Sequence, residues 1–133
     1  MSTFVPDAAT LLQAAADYLE AELLPTLAGY HRFQTRITVN VLRTVTRELQ
    51  LAPAQQEAQR ERLAALLGTG HDGDAMALEA ELAAAIVDGR QPIDDAALID
   101  HLRRTLREAL AIDNPKWASA EAPTSDKPQG ARA

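Results

Sequence analysis

Five apolar residues recur at every fourth position, and this spacing restricts the fold more than any other feature of the chain. They are Phe33, Ile37, Val41, Val45 and Leu49. The β-branched composition of residues 32–51 and the alternation of Ile37, Val39 and Val41 are also typical of a strand. We favour a helix over residues 32–51, because the pattern continues for about five turns without Gly or Pro and a lone strand would have no partner. We expect this apolar row to face the core.

The same segment predicts the plan of the whole fold. Val39 and Leu42 place apolar side chains on further faces of the helix. Such a distribution is typical of a helix that neighbours contact on more than one side. We therefore expect this second helix to lie at the centre of a helical bundle.

One predicted helix precedes the central segment and another follows it. The first begins at Asp7, a residue type that caps helix N-termini, and ends before Pro25. Residues 25–31 then form a predicted turn. Pro53 suits the first turn of a separate third helix, and Gly68 suits its C-terminus.

Two further helices are predicted after the glycine-containing loop at residues 68–74. Asp74 can cap a fourth helix, which ends at Gly89. A fifth begins at Asp94 or Asp95 and carries three arginines towards its end, where the helix dipole favours positive charge. They are Arg103, Arg104 and Arg107.

Length and composition predict one all-α domain. The chain has 133 residues, within the range of about 100–200 that is typical of a single domain. Its 27 Ala and 18 Leu residues indicate closely packed helices. We predict a bundle of about five helices over residues 5–117 and a disordered C-terminal tail over residues 118–133, where Ala, Pro, Ser, Lys and Gly dominate.

The residue types that enzymes use as nucleophiles or metal ligands are missing or scattered. The chain has no Cys and no glycine pattern for binding phosphates. Its serines lie in the terminal segments and its histidines in separate elements; they are Ser2, Ser119, Ser125, His31, His71 and His101. The loop at residues 71–74 has carboxylates suited to a hard cation but lacks the spacing of an EF-hand. We therefore expect no catalytic residue, no metal site and no cofactor.

The overall charge argues against two classes of partner. A net charge of −6 disfavours nucleic acid, because phosphate backbones bind basic surfaces. The chain has neither a signal-like N-terminus nor an apolar segment of the roughly 18 residues that a membrane helix needs. Together with the absence of Cys, these features predict a cytoplasmic protein that binds neither nucleic acid nor membrane.

One charge pattern in the central helix stands out against this acidic background. Arg36, Asn40, Arg43 and Arg47 fall at positions i, i+4, i+7 and i+11, which places them on one side of a helix. Guanidinium groups bind carboxylates or phosphates through two parallel hydrogen bonds. This arginine stripe is therefore either a surface for a partner or an anion, or a set of internal ion pairs with acids such as Glu20, Glu22 and Glu48.

Short motifs along the chain carry a resemblance to a known family. They are Pro6-Asp7-Ala8-Ala9-Thr10-Leu11-Leu12, Phe33-Gln34-Thr35-Arg36 with Asn40-Val41-Leu42, Arg47-Glu48-Leu49, Ile86-Val87-Asp88-Gly89-Arg90 and Asn114-Pro115-Lys116-Trp117. In order and spacing, residues 5–117 resemble the DUF6285 family of small helical proteins. Ile37-Thr38 departs from the more usual Val-Ala pair.

The resemblance implies a role beside an enzyme. Proteins of this family accompany aminoglycoside-phosphotransferase-like kinases and acyl-CoA dehydrogenases. The implied function is that of a noncatalytic accessory subunit for a kinase that phosphorylates the hydroxyl group of a hydroxyacyl-CoA in hydroxy-acid catabolism. The Arg and Asn positions of the family fall on Arg36, Asn40 and Arg47, so the resemblance and the charge pattern single out the same helix face.

Two other functions are compatible with the residues. The first is a carrier or sensor that holds an acyl chain, such as that of acyl-CoA, inside the bundle while arginines bind its anionic head. The second is an enzyme with a carboxylate such as Glu48 as general base, although no paired set of catalytic groups supports it.

Overall fold

The structure, a computed structural model, describes residues 5–68 and 73–118. In these two ranges it contains no strand and five α-helices. The helices are α1 (Ala8–Tyr18), α2 (Gly29–Leu67), α3 (Ala75–Val87), α4 (Ala96–Asp113) and α5 (Pro115–Ala118). A single π-helical turn at Leu19–Leu23 and a 3-10 turn at Leu24–Thr26 connect α1 to α2. The predicted all-α fold is confirmed, whereas the predicted tail lies outside the described residues from position 119 onward.

The long helix α2 organises the whole arrangement. Its 39 residues span about 58 Å at a rise of about 1.5 Å per residue. Helix α1 packs on its N-terminal half, and both α3 and α4 pack on its C-terminal half. The prediction that this segment lies at the centre and is contacted on several sides is therefore confirmed.

The prediction of a separate third helix that begins at Pro53 is wrong. Pro53 lies inside α2, which continues without a break to Leu67. A proline inside a helix removes one backbone hydrogen bond and costs about 3 kcal/mol. Helix α4 spans this weak point, because it contacts α2 both before Pro53, at Arg47, and after it, at Arg62. These tertiary contacts explain why the helix continues through the proline.

The predicted caps at Asp7, Asp74 and Gly68 are confirmed, whereas the predicted turn at residues 25–31 is shorter than expected, because α2 already begins at Gly29. Asp7 Oδ1 accepts a hydrogen bond of 2.8 Å from the backbone N–H of Thr10, and Asp74 Oδ1 accepts one of 2.8 Å from that of Ala77. Gly68 caps the C-terminus of α2, and its φ of 65° is a left-handed conformation that glycine adopts without strain.

Among the described residues, the buried core is small and lies in two places. The larger part joins α2, α3 and α4 and consists of four leucines, which are Leu63, Leu78, Leu82 and Leu98. The smaller part joins α1 and α2, where Ala9, Ala16 and Val39 are buried. Small residues in α1 allow the two helix backbones to approach closely, while much of the apolar surface of α2 stays uncovered.

Candidate functional site

The predicted arginine stripe does not form one continuous surface. Arg43 Nη2 lies 3.0 Å from Asp17 Oδ1 and 3.4 Å from Glu20 Oε1, so it connects α2 to α1 and to the π-helical turn. The hydrogen bond to Asp17 and the attraction of Glu20 raise the pKa of Arg43, although partial burial opposes this shift. Arg43 thus has internal partners, one of which, Glu20, is among the acids that the sequence offered.

Arg47 also has internal partners, but they are uncharged. Its Nε donates a hydrogen bond of 2.7 Å to the carbonyl oxygen of Ile112, near the C-terminus of α4. Its Nη2 lies 3.2 Å from Thr44 Oγ1. Arg47 therefore attaches the end of α4 to the middle of α2, and its guanidinium is already engaged in holding the fold.

Arg36 and Asn40 form the exposed part of the stripe. Both side chains lie at the surface, and neither makes an ion pair or a side-chain hydrogen bond within the described part of the chain. The structure thus separates the four predicted site residues into two that connect helices and two that are available to a partner.

The apolar row of α2 is exposed, so the prediction that it faces the core is wrong. The exposed fractions are 60% for Phe33, 41% for Ile37, 55% for Val41, 38% for Val45 and 46% for Leu49. Helix α1 covers a different side of α2, where the buried residues are Val39 and Thr46. The regular spacing correctly identified a row of five residues that winds by about 40° per step along α2, but it could not show which side of α2 a neighbouring helix covers.

This uncovered face is the continuation of one that α3 covers further along α2. A distance of 18 residues is five complete helical turns, so Val45 points in the direction of Leu63 and Val41 in that of Gln59. Leu63 packs against α3 leucines, and Gln59 binds Glu79 of α3. Within the described residues, the face therefore has a covering helix in the C-terminal half of α2 and none in the N-terminal half.

Helix α4 adds a second exposed row of apolar residues. The exposed fractions are 37% for Ile99, 46% for Leu102, 66% for Leu106 and 38% for Leu110. The residues of α4 that contact α2 form a different and more polar face, which includes Leu98, His101 and Thr105. The α4 row is thus left open beside the contact with α2.

Helical geometry places both rows on the same side of the α2–α4 pair. Ile99, Leu102 and Leu106 follow directly after residues that contact α2. Because one position corresponds to a rotation of about 100°, all three point to the same side of that contact. Arg104 and Arg107, which directly precede contact residues, line a groove on the opposite side. Helix α3 lies on the side away from this groove, and Val41, Val45 and Leu49 of the α2 row point to the same side. We call the two rows together the apolar face.

A polar network that the sequence reasoning missed lies between the C-terminal half of α2 and α4. Arg62 binds Glu108 through two hydrogen bonds of 2.8 and 3.0 Å, and their side chains are only 17% and 25% exposed. Arg62 also lies 3.3 Å from Thr105 Oγ1 and donates from Nε to His101 Nδ1 at 3.3 Å. The sequence does contain a signal for this network, because the spacing of His101, Thr105 and Glu108 places three polar residues on one side of α4.

His101 is buried in this network, with 3% of its surface exposed. Burial lowers the pKa of the imidazole, and the positive charge of Arg62 lowers it further. Because Nδ1 accepts a hydrogen bond from Arg62, the neutral ring is the form that fits this site. The ring packs and accepts a hydrogen bond here, which is a structural role.

In residues 5–68 and 73–118, no three His, Asp or Glu side chains come close enough together to hold a metal ion. Two members of the candidate cation loop, His71 and Asp72, lie outside the described residues, as do Ser2, Ser119 and Ser125.

Across the two described ranges, no helix is both long enough and apolar enough to cross a lipid bilayer.

Comparison with known proteins identifies a family but no characterised relative. No curated protein and no solved structure matches the chain. The profile of a family described as a domain of unknown function, DUF6285, matches residues 25–117. The match includes α2, α3 and α4, and therefore the apolar face, the exposed residues Arg36 and Asn40, and the network around Arg62. Because it extends over more than half of the sequence, the chain belongs to the DUF6285 family.

Proposed function

We propose that the protein is a noncatalytic accessory subunit that docks on an aminoglycoside-phosphotransferase-like kinase acting on hydroxyacyl-CoA. The observation that carries the docking function is the apolar face, which includes nine aliphatic or aromatic side chains that are 37–66% exposed. The resemblance to proteins that accompany such kinases supports the choice of partner. The absence of a paired set of catalytic groups in the sequence supports a role without chemistry of its own.

The size of the apolar face supports a protein partner. Isolated apolar residues are common on protein surfaces, but contiguous apolar patches mark interaction sites. The α2 row from Phe33 to Leu49 extends over about 24 Å of helix, and the α4 row lies beside its end. Each large apolar side chain contributes about 1.5–3 kcal/mol when it becomes fully buried, so covering this face would be strongly favourable.

The polar residues around the face support specific docking. Arg36 lies one turn from Phe33, and Asn40 lies one turn from Ile37, so both residues border the row. An apolar centre with a polar rim is the usual composition of a protein interface. In this proposal, Arg36 binds a carboxylate of the kinase and Asn40 donates to a backbone carbonyl at the edge of the contact.

The docking surface can be tested with one substitution and a matched control. We expect Val41→Glu to weaken binding of the kinase by about 30-fold or more, since it introduces a charge at the centre of the α2 row. Val41 is 55% exposed, so the isolated protein should remain folded, which circular dichroism will verify. Val87→Glu introduces the same charge at an apolar residue that is 84% exposed outside the apolar face, and it should leave the affinity within about twofold.

Affinity is measured by titrating purified kinase with each variant, and kinase turnover on a hydroxyacyl-CoA is measured in parallel. The proposal is wrong if the kinase does not bind the unmodified protein, or if it binds the Val41→Glu variant as tightly. It is also wrong if Val41→Glu leaves the kinase affinity unchanged but dissociates a dimer of this chain. The apolar face would then be an interface between two copies.

A further inference from the structure

The three arginines of α4 are not explained by the helix dipole. The prediction that they lie near the end of the helix is wrong, because α4 continues to Asp113 and its last turn contains no basic residue. The interaction with the dipole declines within the last turn, and Arg107 lies six positions before Asp113. Arg103, Arg104 and Arg107 therefore require a different explanation.

All three arginines line one groove. The groove has a volume of about 620 Å³ and lies between α4 and the C-terminal half of α2, which contributes Arg62 to its wall. It opens on the side of the α2–α4 pair that is opposite to the apolar face. In a chain whose net charge is −6, four arginines around one groove are an unusual concentration of positive charge.

The carboxylates in the groove do not neutralise this charge completely. Glu108 is held by Arg62 through two hydrogen bonds, and Asp100 lies 2.9 Å from Arg104. These are the two acidic residues in the lining, and each already has an arginine partner. Arg103 and Arg107 are exposed and make no ion pair within the described part of the chain. The groove therefore keeps two positive charges that are available to a ligand.

We propose that this groove binds the phosphate or diphosphate group of a small molecule. Arg103 and Arg107 are four positions apart, so their side chains leave the helix as neighbours about 6 Å apart. Two guanidinium groups at this separation can bind oxygens of the same phosphate or of adjacent phosphates, each through a pair of hydrogen bonds. The volume of the groove lies within the range of about 300–1,000 Å³ that is typical of small-molecule sites.

The neighbouring pairs contribute by keeping repulsion low. Arg62 fixes the carboxylate of Glu108 in a geometry that also involves Thr105 and His101, so an entering anion meets a paired acid. Arg104 has the same effect on Asp100. Because the side chains of both residues are well exposed, the guanidinium of Arg104 can turn towards a bound phosphate. The site is independent of the proposed docking function, since it lies on the other side of the α2–α4 pair.

Inorganic pyrophosphate is the probe that tests this site. It is titrated into the full-length isolated protein at low ionic strength, with binding followed by calorimetry and by the NMR signals of the arginine side chains. We expect saturable binding with the largest signal changes at Arg103 and Arg107. The double variant Arg103→Gln, Arg107→Gln should weaken this binding by about tenfold or more, because it removes both unpaired guanidinium groups.

A second double variant controls for the change in net charge. Arg32→Gln together with Arg90→Gln also removes two positive charges, from exposed residues near the start of α2 and after the end of α3 that do not line the groove. It should leave pyrophosphate affinity within about twofold. An equal loss in both double variants would show nonspecific attraction and overturn the proposal, as would the absence of saturable binding to the unmodified protein.

Discussion

On one side of α2, apolar side chains in the two halves point in the same direction, but neighbouring helices cover only those in the C-terminal half. In the C-terminal half, Leu63 has no exposed surface and packs with leucines of α3 and α4. In the N-terminal half, Val45 has the same direction but is 38% exposed. Since the chemistry of the side chains is similar, the difference arises from the neighbouring helices. It indicates that this side of the C-terminal half stabilises the fold, whereas the same side of the N-terminal half is available for binding.

The two halves also use their arginines differently. Arg62 in the C-terminal half binds a carboxylate with two hydrogen bonds inside a largely buried network. Arg43 in the N-terminal half binds Asp17 and Glu20, whose side chains are 60% and 52% exposed. Ion pairs in water contribute little, whereas removal of one partner from a desolvated pair leaves an unsatisfied charge. The two halves thus also differ in how much their charged residues contribute to stability.

Truncation of one apolar side chain in each half should show the largest difference. We expect Leu63→Ala to lower the free energy of unfolding by about 2–5 kcal/mol, because it leaves a cavity among packed leucines. Val41→Ala, at an exposed position, should change it by about 0.5 kcal/mol or less. Urea denaturation of the isolated protein, followed by circular dichroism, measures both values. Similar losses in the two variants would mean that the apolar row is covered in solution and would contradict the comparison.

The arginines provide a smaller but sharper test. Arg62→Gln should lower the free energy of unfolding by about 1–3 kcal/mol, since Glu108 loses its partner while it is largely buried. Arg43→Gln removes the same charge from an exposed pair and should lower it by less than about 1 kcal/mol. Both variants are compared in the same urea experiment. If Arg43→Gln is the more destabilising of the two, the ranking of the two halves is reversed.

Helix positions could be predicted from the sequence because they depend on local signals. Asp7 and Asp74 cap helices through hydrogen bonds to residues three positions away, and Gly68 ends α2 through its own backbone conformation. Pro53 misled the prediction because the contacts that hold α2 together across it come from α4, which lies far along the chain. Local signals therefore predict where helices occur better than where they are interrupted.

The site was harder to predict because it depends on which surfaces remain uncovered. The periodicity of residues 33–49 correctly identified an apolar row along α2, but the exposure of this row depends on the positions of α1 and α3. The ion pair of Arg62 joins residues 46 positions apart, and in the sequence both partners resemble ordinary surface charges. The pairing of Arg43 with Glu20 was among the alternatives from the sequence, since oppositely charged residues on adjacent helices often meet.

A dependence of stability on pH follows from the polar network of the C-terminal half. The pKa of His101 is lowered by burial and by Arg62, below the value of about 6.5 that an unfolded histidine has. As the pH falls below about 6.5, the unfolded chain binds a proton that the folded chain does not bind, and unfolding becomes more favourable. The stabilisation from the neutral ring is therefore present above this pH and is lost as the pH falls through the lowered pKa.

The measurement compares urea denaturation at about pH 7.5 and about pH 5.5, a window in which histidines titrate more than carboxylates. The unmodified protein should lose more stability between these pH values than His101→Gln, whose side chain cannot be protonated. His31→Gln serves as the matched control, because His31 is exposed in the N-terminal half, and it should keep the pH dependence of the unmodified protein. Equal losses in the unmodified protein and in His101→Gln would mean that the buried network does not hold a neutral histidine. The difference between the two halves would then rest on their apolar contacts alone.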